Sequence, residues 1–432
     1  MAPAQSSSGA VTTEPAWDEL RAALGAEHVR EASSADAIAG VQPRMVAEPA
    51  DEKQIAATLR WANEAGVAVA PRGGGTKLGW GNPPTRLDLV VSTARLNRIV
   101  EHAWADLTVI VEAGVPVAQL QQALAQHGQR VATDPLWPER ATVGGILSTN
   151  ESGSLRLRFG ALRDLIIGVT LALPDGTLAK SGGKVVKNVA GYDLPKLATG
   201  ALGTLGIITQ ANFRLYPVPP GFGVRTLTFR AASISDANRL ILTMQDSPMA
   251  HTGLQVRVAG DAQPAVDIRF EGTTAGIEAQ CATARKLATI AAETQESADV
   301  WAARQDLWAP PADSAALAKF SVLPSRIAAA CEAIRHTAEQ GGLKWKIAVQ
   351  GTGLGWARLE APRPAALHAA VVALRADFER DAGSLFVAHR PAGMAVLDAW
   401  GSAGDALPVM VRMKQQFDPR GTLNPGRFVG GI

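Results

Sequence analysis

Val67-Ala68-Val69-Ala70-Pro71-Arg72-Gly73-Gly74-Gly75-Thr76-Lys77-Leu78-Gly79 is a short apolar run that ends in three consecutive glycines. Residues 67–70 read as a buried strand, and a strand feeding Gly-Gly-Gly-Thr can turn several successive N–H groups into one concavity. Such a concavity suits a diphosphate. The stretch lacks the Gly-Lys-Ser/Thr of a Walker A loop and does not fit GxGxxG, which argues against nucleotide hydrolysis and against a standard dinucleotide domain. Taken alone, a triple glycine serves a surface turn equally well. Two further stretches change that balance. Ala141-Thr142-Val143-Gly144-Gly145-Ile146-Leu147-Ser148-Thr149-Asn150 reads as a loop that puts small residues and hydroxyls where backbone must approach a flat or charged ligand. Gly200-Ala201-Leu202-Gly203-Thr204-Leu205-Gly206-Ile207-Ile208 does the same ahead of a strand. Nearly half of the 42 glycines fall between Gly66 and Gly206, a local excess that marks many positive-φ turns or close backbone approaches.

Working outward, residues 1–15 are small and polar without period and read as a disordered tail. Helical spacing predicts helices over 17–24, 51–64 and 117–127, and strands are expected at 87–91, 108–112 and 166–173. The first half is therefore α+β. After Pro217-Val218-Pro219-Pro220 the grammar changes. A strand over 223–229, a helix over 235–245, strands over 254–258 and 266–270 and a helix over 274–292 form a βαββα unit. The same order recurs as strand 317–323, helix 325–340, strands 344–349 and 355–360, helix 364–380 and strand 384–387. Two such units side by side give a sheet with helices on one face. The expected organisation is a tail (1–15), a ligand-binding domain (16–220), a second α+β domain (221–400) and a C-terminal helix and tail that return to the first domain (401–432).

Composition removes several classes. Among 432 residues, 42 Lys and Arg face 40 acids, a formal charge of +2, and no stretch gathers the basic residues as a nucleic-acid binder would. Cys281 and Cys331 are the two cysteines, too few for an iron–sulfur cluster or a disulfide framework. The seven histidines, His28, His102, His127, His251, His336, His368 and His389, show no pair at metal-ligand spacing, so no metal site is expected. No apolar run approaches the ~20 residues of a spanning helix, and no signal-peptide core follows Met1, so a cytoplasmic location is expected.

The glycine stretches, together with Lys187-Asn188-Val189-Ala190-Gly191-Tyr192-Asp193-Leu194 running toward Gly203-Thr204-Leu205-Gly206-Ile207-Ile208-Thr209, resemble the FAD-binding domain of the vanillyl-alcohol oxidase, or PCMH-type, family. Within it the resemblance is strongest to the FAD-binding subunits of glycolate oxidases. It covers roughly residues 51–428, including the Asp418-Pro419-Arg420-Gly421-Thr422-Leu423-Asn424-Pro425-Gly426-Arg427-Phe428 ending. The resemblance implies a two-domain PCMH-type FAD-binding fold whose α+β cap is the pair of βαββα units. It implies that Gly73, Gly74, Gly75, Thr76 and Lys77, preceded by Pro71 and Arg72, hold the FAD diphosphate. Ala141, Thr142, Gly144, Gly145 and Ser148 would lie along the flavin, Gly206, Ile207 and Ile208 at the adenosine end, and Asn424 in a tail that comes back to the flavin. Relatives that bind flavin covalently carry His where this chain has Thr76, so non-covalent FAD is implied. The catalytic sister subunits have a His-rich stretch, absent here, and commonly Glu where this chain has Leu202.

The implied function is an FAD subunit of a glycolate or D-lactate dehydrogenase complex that passes electrons from a small 2-hydroxy acid, through FAD, to an iron–sulfur partner beside a sister FAD subunit. Membrane contact would come through those partners. The alternatives are a non-catalytic assembly or relay subunit, and a stand-alone FAD-dependent alcohol or sugar oxidase. Oxidising a 2-hydroxy acid needs a cation for the carboxylate and a base for the hydroxyl proton. Tyr192, inside the motif, and the pair His389 and Arg390, after the last cap strand, are the candidate catalytic residues. Lys184 and Lys187 could supply cations from a loop. Lys319, in an apolar strand, either faces water or meets an anion, and water is the expectation.

Overall fold

The structure is a computed structural model that describes residues 16–183, 192–288, 292–295, 299–310 and 314–432. Residues 1–15, Lys184 and the part of the Lys187-to-Leu194 motif from 187 to 191 lie outside the described residues. The described residues form three larger sheets and a two-stranded pair, Gln129–Arg130 with Tyr216–Pro217. The first has four strands in the order Val29–Glu31, Met45–Ala47, Leu89–Ser92, Val69–Arg72, with the last three parallel. Leu423, from the C-terminal tail, adds a parallel bridge to Val69 at the outer side. Helix Glu52–Glu64 is capped by the Asp51 carboxylate, which accepts from the Gln54 N–H at 2.8 Å. Its stripe of Ile55, Leu59 and Ala62 joins one core with Val69, Leu89 and Val91 of this sheet and Ala172 and Ile207 of the next.

The second sheet is antiparallel throughout, in the order Ile99–Ala103, Thr108–Glu112, Ile207–Arg214, Ile166–Ala172, Leu178–Gly182. Helices Val117–Ala125 and Val143–Ser148 pack their apolar side against it through Val117, Leu120, Leu124, Ile146 and Leu147. Here the sequence reading needs correction. The second glycine stretch is a short helix, Val143–Ser148, whose N-cap Thr142 accepts from the Gly145 N–H at 3.3 Å. Two small glycines hid its helical period. The strand expected at 67–70 sits two residues later, at Val69–Arg72, and runs into the loop itself.

The third sheet has eight antiparallel strands and is built from the repeated unit. The first copy is strand Gly223–Arg230, helix Ile234–Gln245, strands His251–Ala259 and Ala265–Gly272, and helix Thr274–Ala288. A further strand, Ala292–Gln295, which the sequence reading did not foresee, pairs with Gly223–Arg230 at the edge of the sheet. The second copy is Ala315–Ser321, Ile327–Gly341, Lys344–Gln350, Leu354–Glu360, Pro364–Arg380 and Ser384–His389. The copies join back to back through His251–Ala259 and Lys344–Gln350, with Gln255 opposite Gln350 and Ala259 opposite Lys346. The four helices cover one face, where Leu227, Phe229, Phe270, Phe320, Ile334 and Leu374 share a core. The other face is aromatic: Leu317, Ala348 and Trp356 pack with Trp80 and Leu136 of the first half. Strand alternation decides which residues look that way. In Ala315–Ser321, Ala316, Ala318 and Phe320 point to the helices, and Leu317 and Lys319 to the first half.

Candidate active site

The first loop, the Thr142 cap and the third glycine turn converge on one cleft of about 690 Å³, open mouth included. It is bordered by Pro71, Arg72 and the loop through Leu78, by Thr142, Gly144, Gly145 and Ser148, by Gly206, Ile207 and Ile208, and by Asn424. Among the sequence-derived cofactor candidates Ala141 does not border it. It is buried with its carbonyl accepting the Val117 N–H at 2.9 Å.

Close packing makes the loop's shape. A Cβ on Gly73 would stand 2.1 Å from Thr142 Oγ1, and one on Gly74 only 1.7 Å from the Arg140 carbonyl oxygen. The glycines therefore let the loop lie against residues 140–142, which frees its other side for a ligand. Among the described residues the N–H groups of Gly74, Gly75 and Thr76 donate to no protein acceptor. That is the donor set an anion needs.

Two cations of this cleft are neutralised by carboxylates. Arg72 bonds Asp36 Oδ1 at 2.6 Å, and Asp36 is held far below the ordinary carboxylate range by Arg30, with Arg72 adding to it. Lys77 lies under Trp80 and Trp137, with Nζ 3.6 Å from Glu151 Oε2. Burial lowers the Lys77 ammonium from its usual value, and Glu151 opposes the shift. Glu151 also takes Arg304 at 2.7 Å, and Arg304 bonds the Asp134 and Ser152 carbonyls. This buried seam fixes the 299–310 segment to the glycine-loop side.

A second cavity, about 1070 Å³ with its mouth, lies between the third sheet and the cleft and shares Ser148, Thr149 and Leu202 with it. Trp80, Phe386, Trp400 and Phe428 wall it. Lys319 enters from the sheet, its Nζ 5.8 Å from the Trp80 ring and 5.9 Å from the Trp356 ring. Arg156 enters from the other half. Neither has a carboxylate at salt-bridge distance among the described residues. Burial pushes the Lys319 ammonium down to about 8, with Glu151 pulling the other way. Burial lowers Arg156 as well. Asn150, left-handed at φ 44°, adds a buried Oδ1 with no partner among the described residues. Strand alternation turns Lys319, for which water was the expectation, into this aromatic cavity, where it keeps partial exposure.

The candidate catalytic residues do not gather there. Tyr192 is 89 % exposed and lies on the surface. Arg390 donates to the Leu397 carbonyl at 3.2 Å, and His389 packs near Trp308 outside the cavity lining. Strand Ser384–His389 lines the cavity with Ser384 and Phe386, while His389 at its end and Arg390 after it lie outside that lining. Sequence reasoning missed Arg156, Glu151, Arg304 and Arg427. Each is a single charge in an unremarkable setting, and only Arg427, at the close of the turn-rich ending, carried any positional signal.

Residues 43–182 match the family described as FAD binding domain. They hold the first glycine loop and the Thr142 cap, two of the three walls just described. By that match the segment is similar to FAD binding domains. FAD is its cofactor. The chain is 38 % identical over 173 residues to a D-lactate dehydrogenase of Archaeoglobus fulgidus, covering 40 % of this chain and 39 % of that protein. It is 37 % identical over 177 residues to glycolate oxidase subunit GlcD of Bacillus subtilis, covering 41 % and 38 %. The matched stretch thus spans about two-fifths of these relatives. In fold the likeness extends further. An alkyldihydroxyacetonephosphate synthase superimposes with a TM-score of 0.74 at 17 % identity over 95 % of this chain and 85 % of its own. The 4-ethylphenol oxidase of Gulosibacter chungangensis does so with 0.72 at 16 %, over 95 % of each. These establish the PCMH-type FAD-binding fold in its α+β form.

The residues present fit FAD. The loop offers unpaired N–H groups, and Asn424, 1 % exposed, offers the cleft an Oδ1 with no partner among the described residues. No His, Cys or Tyr lines either cavity among the described residues. Acid precipitation of the yellow protein is therefore expected to release all of the flavin into the supernatant, and flavin retained in the washed pellet would contradict this.

Proposed function

We propose that this chain is the FAD-binding subunit, of the GlcE type, of a glycolate or D-lactate dehydrogenase complex, oxidising a 2-hydroxy acid at its own flavin. One observation carries the reading: Lys319 and Arg156, two cations without carboxylate partners among the described residues, meet in a cavity that opens onto the FAD cleft at Ser148, Thr149 and Leu202. A cation partly withdrawn from water gains from an anion beside it, and a substrate carboxylate would supply that charge. FAD, when bound, supplies the acceptor for the hydride from the carbinol carbon. The protein's part is to bind, orient and exclude water. Arg156 and Lys319 fix the carboxylate from opposite walls, Ser148 and Thr149 border both spaces, and Trp80, Phe386 and Trp400 keep the interior apolar so that the ion pairs are strong. The names of the D-lactate dehydrogenase and glycolate oxidase relatives support the substrate class. The word subunit in the second supports a complex, in which a sister flavoprotein and an iron–sulfur protein would carry electrons onward.

A second reading is favoured by one observation. Neither cavity is lined by His, Asp or Glu among the described residues, so no ordinary base is at hand for the hydroxyl proton. On that reading the chain relays electrons while a sister subunit oxidises the acid. The test is anaerobic addition of glycolate or D-lactate to the purified full chain with FAD. Bleaching of the flavin's visible absorption within a catalytic timescale is expected. A flavin that stays oxidised until a sister subunit is added would leave only the relay.

A further inference from the structure

The last residues of the chain cross the FAD cleft. Val69 N–H donates to the Thr422 carbonyl at 2.7 Å and the Asn424 N–H to the Val69 carbonyl at 2.8 Å, so the tail extends the first sheet beside the strand that feeds the glycine loop. Asn424 Nδ2 donates to the Leu202 carbonyl at 2.7 Å. Lys414 Nζ ties the helix before it to the Thr204 and Leu423 carbonyls. Arg427 sits at the crossing. It is 3 % exposed and borders the cleft. Its Nη2 donates to the Leu78 and Trp80 carbonyls, both at 2.6 Å, and its Nε to the Asn82 carbonyl at 3.4 Å. Its own carbonyl accepts the Asn82 N–H and the Trp400 indole N–H.

All of those acceptors are neutral. No carboxylate lies at salt-bridge distance from Arg427 among the described residues, and Nη1 donates to no protein acceptor there. Arg72 and Lys77, the other cations of the cleft, are matched by Asp36 and Glu151, so Arg427 is the positive charge of the cleft left without a carboxylate. Isolated buried charge is expensive unless an anion or a pKa shift relieves it.

We propose that Arg427 is the charge partner of the FAD diphosphate and that, with the unpartnered Oδ1 of Asn424, it makes the 418–428 segment a clasp whose docking is thermodynamically coupled to FAD binding. Burial lowers the Arg427 guanidinium to about 10, the direction expected of a cation waiting for its anion. The glycine loop meets the diphosphate with N–H groups, and Arg427 adds the net charge those groups lack. Because Arg427 holds the loop's own carbonyls at 78, 80 and 82, cofactor and tail stabilise each other through one side chain. Linkage then requires FAD to protect the tail by as much as the tail strengthens FAD.

The proposal rests on FAD as the cofactor, and its test separates the two. Apoprotein prepared by removing the flavin is titrated with FAD, for the natural chain and for Arg427→Met and Arg427→Lys, while hydrogen exchange of residues 418–428 is followed with and without FAD. Arg427→Met is expected to weaken FAD about 10- to 100-fold, the usual range for one charge-assisted hydrogen-bond partner. Arg427→Lys is expected to recover most of the loss, and FAD is expected to slow exchange across 418–428 in the natural chain. Equal FAD affinity in the Met variant, or exchange in the natural chain unchanged by FAD, overturns the clasp while leaving the cofactor in place. If Arg427→Met does not fold, the exchange arm on the natural chain decides alone. A natural apoprotein that takes up no FAD would instead overturn the cofactor itself.

Discussion

Replacing Lys319 by Met is expected to raise the glycolate or D-lactate concentration needed for half-maximal flavin reduction by about 100-fold, the upper part of the range for a buried charged hydrogen bond. The Lys319 Nζ stands beside the Trp80 and Trp356 rings, on the wall of the aromatic cavity. The same geometry gives a pH signature. With its pKa pushed down from 10.5 to about 8, the group is mostly ammonium at pH 7 and mostly neutral amine at pH 9. Carboxylate binding favours the ammonium, so affinity is full below about 8 and falls as pH rises through that value, until the pKa of the bound form takes over. For folding the sign is opposite. The folded pKa lies below the unfolded one, so this group's contribution to stability without substrate grows as pH rises from about 8 to 10.5. Lys319→Arg keeps the charge throughout and is expected to flatten the binding profile. Half-saturation measured from pH 6 to 10 checks both statements, and a profile that improves above pH 8 would make the neutral amine a proton acceptor instead.

Gly74→Val is expected to leave the purified protein colourless while its helices and third sheet remain folded. The reason is the Arg140 carbonyl oxygen, 1.7 Å from where any Cβ would sit. Backbone cannot swing aside as a side chain does, so the loop must lift from residues 140–142 and take its free N–H groups out of register with the cleft. Overpacking of this kind costs about 3 kcal/mol or more, which is beyond a hundredfold in retention. Even Gly74→Ala meets the same oxygen and is expected to lose much of its FAD. The ratio of flavin to protein absorbance, read with far-ultraviolet circular dichroism, checks this. A yellow Val variant would remove the contact from the cofactor site. The third sheet should survive because Leu227, Phe270, Phe320 and Leu374 build their core with its own helices, far from Gly74.

The sequence by itself determined the local things. The cofactor candidates in its glycine stretches, Ala141 apart, come to border one cleft, because a loop that exposes successive N–H groups is written in consecutive positions. The repeat of βαββα order was legible for the same reason, since each helix and strand carries its own period. Short strands with no apolar run, Val29–Glu31 and Leu178–Gly182, were not legible, because pairing with neighbours and not propensity makes them strands.

Only the tertiary structure decided which charges share a space. Asp36 and Arg72 are joined across 36 residues, Glu151 and Arg304 across 153, and Arg427 and Leu78 across 349. No sequence period connects such pairs. That Tyr192, His389 and Arg390 stand outside the cavity lining while Lys319 and Arg156 belong to it has the same cause. Which face of a strand looks at the flavin cleft depends on how two halves of the chain dock, and that is set by the aromatic contact of Trp80 with Trp308 and Trp356. The sequence supplied the cation, and docking supplied its solvent, its neighbours and therefore its chemistry.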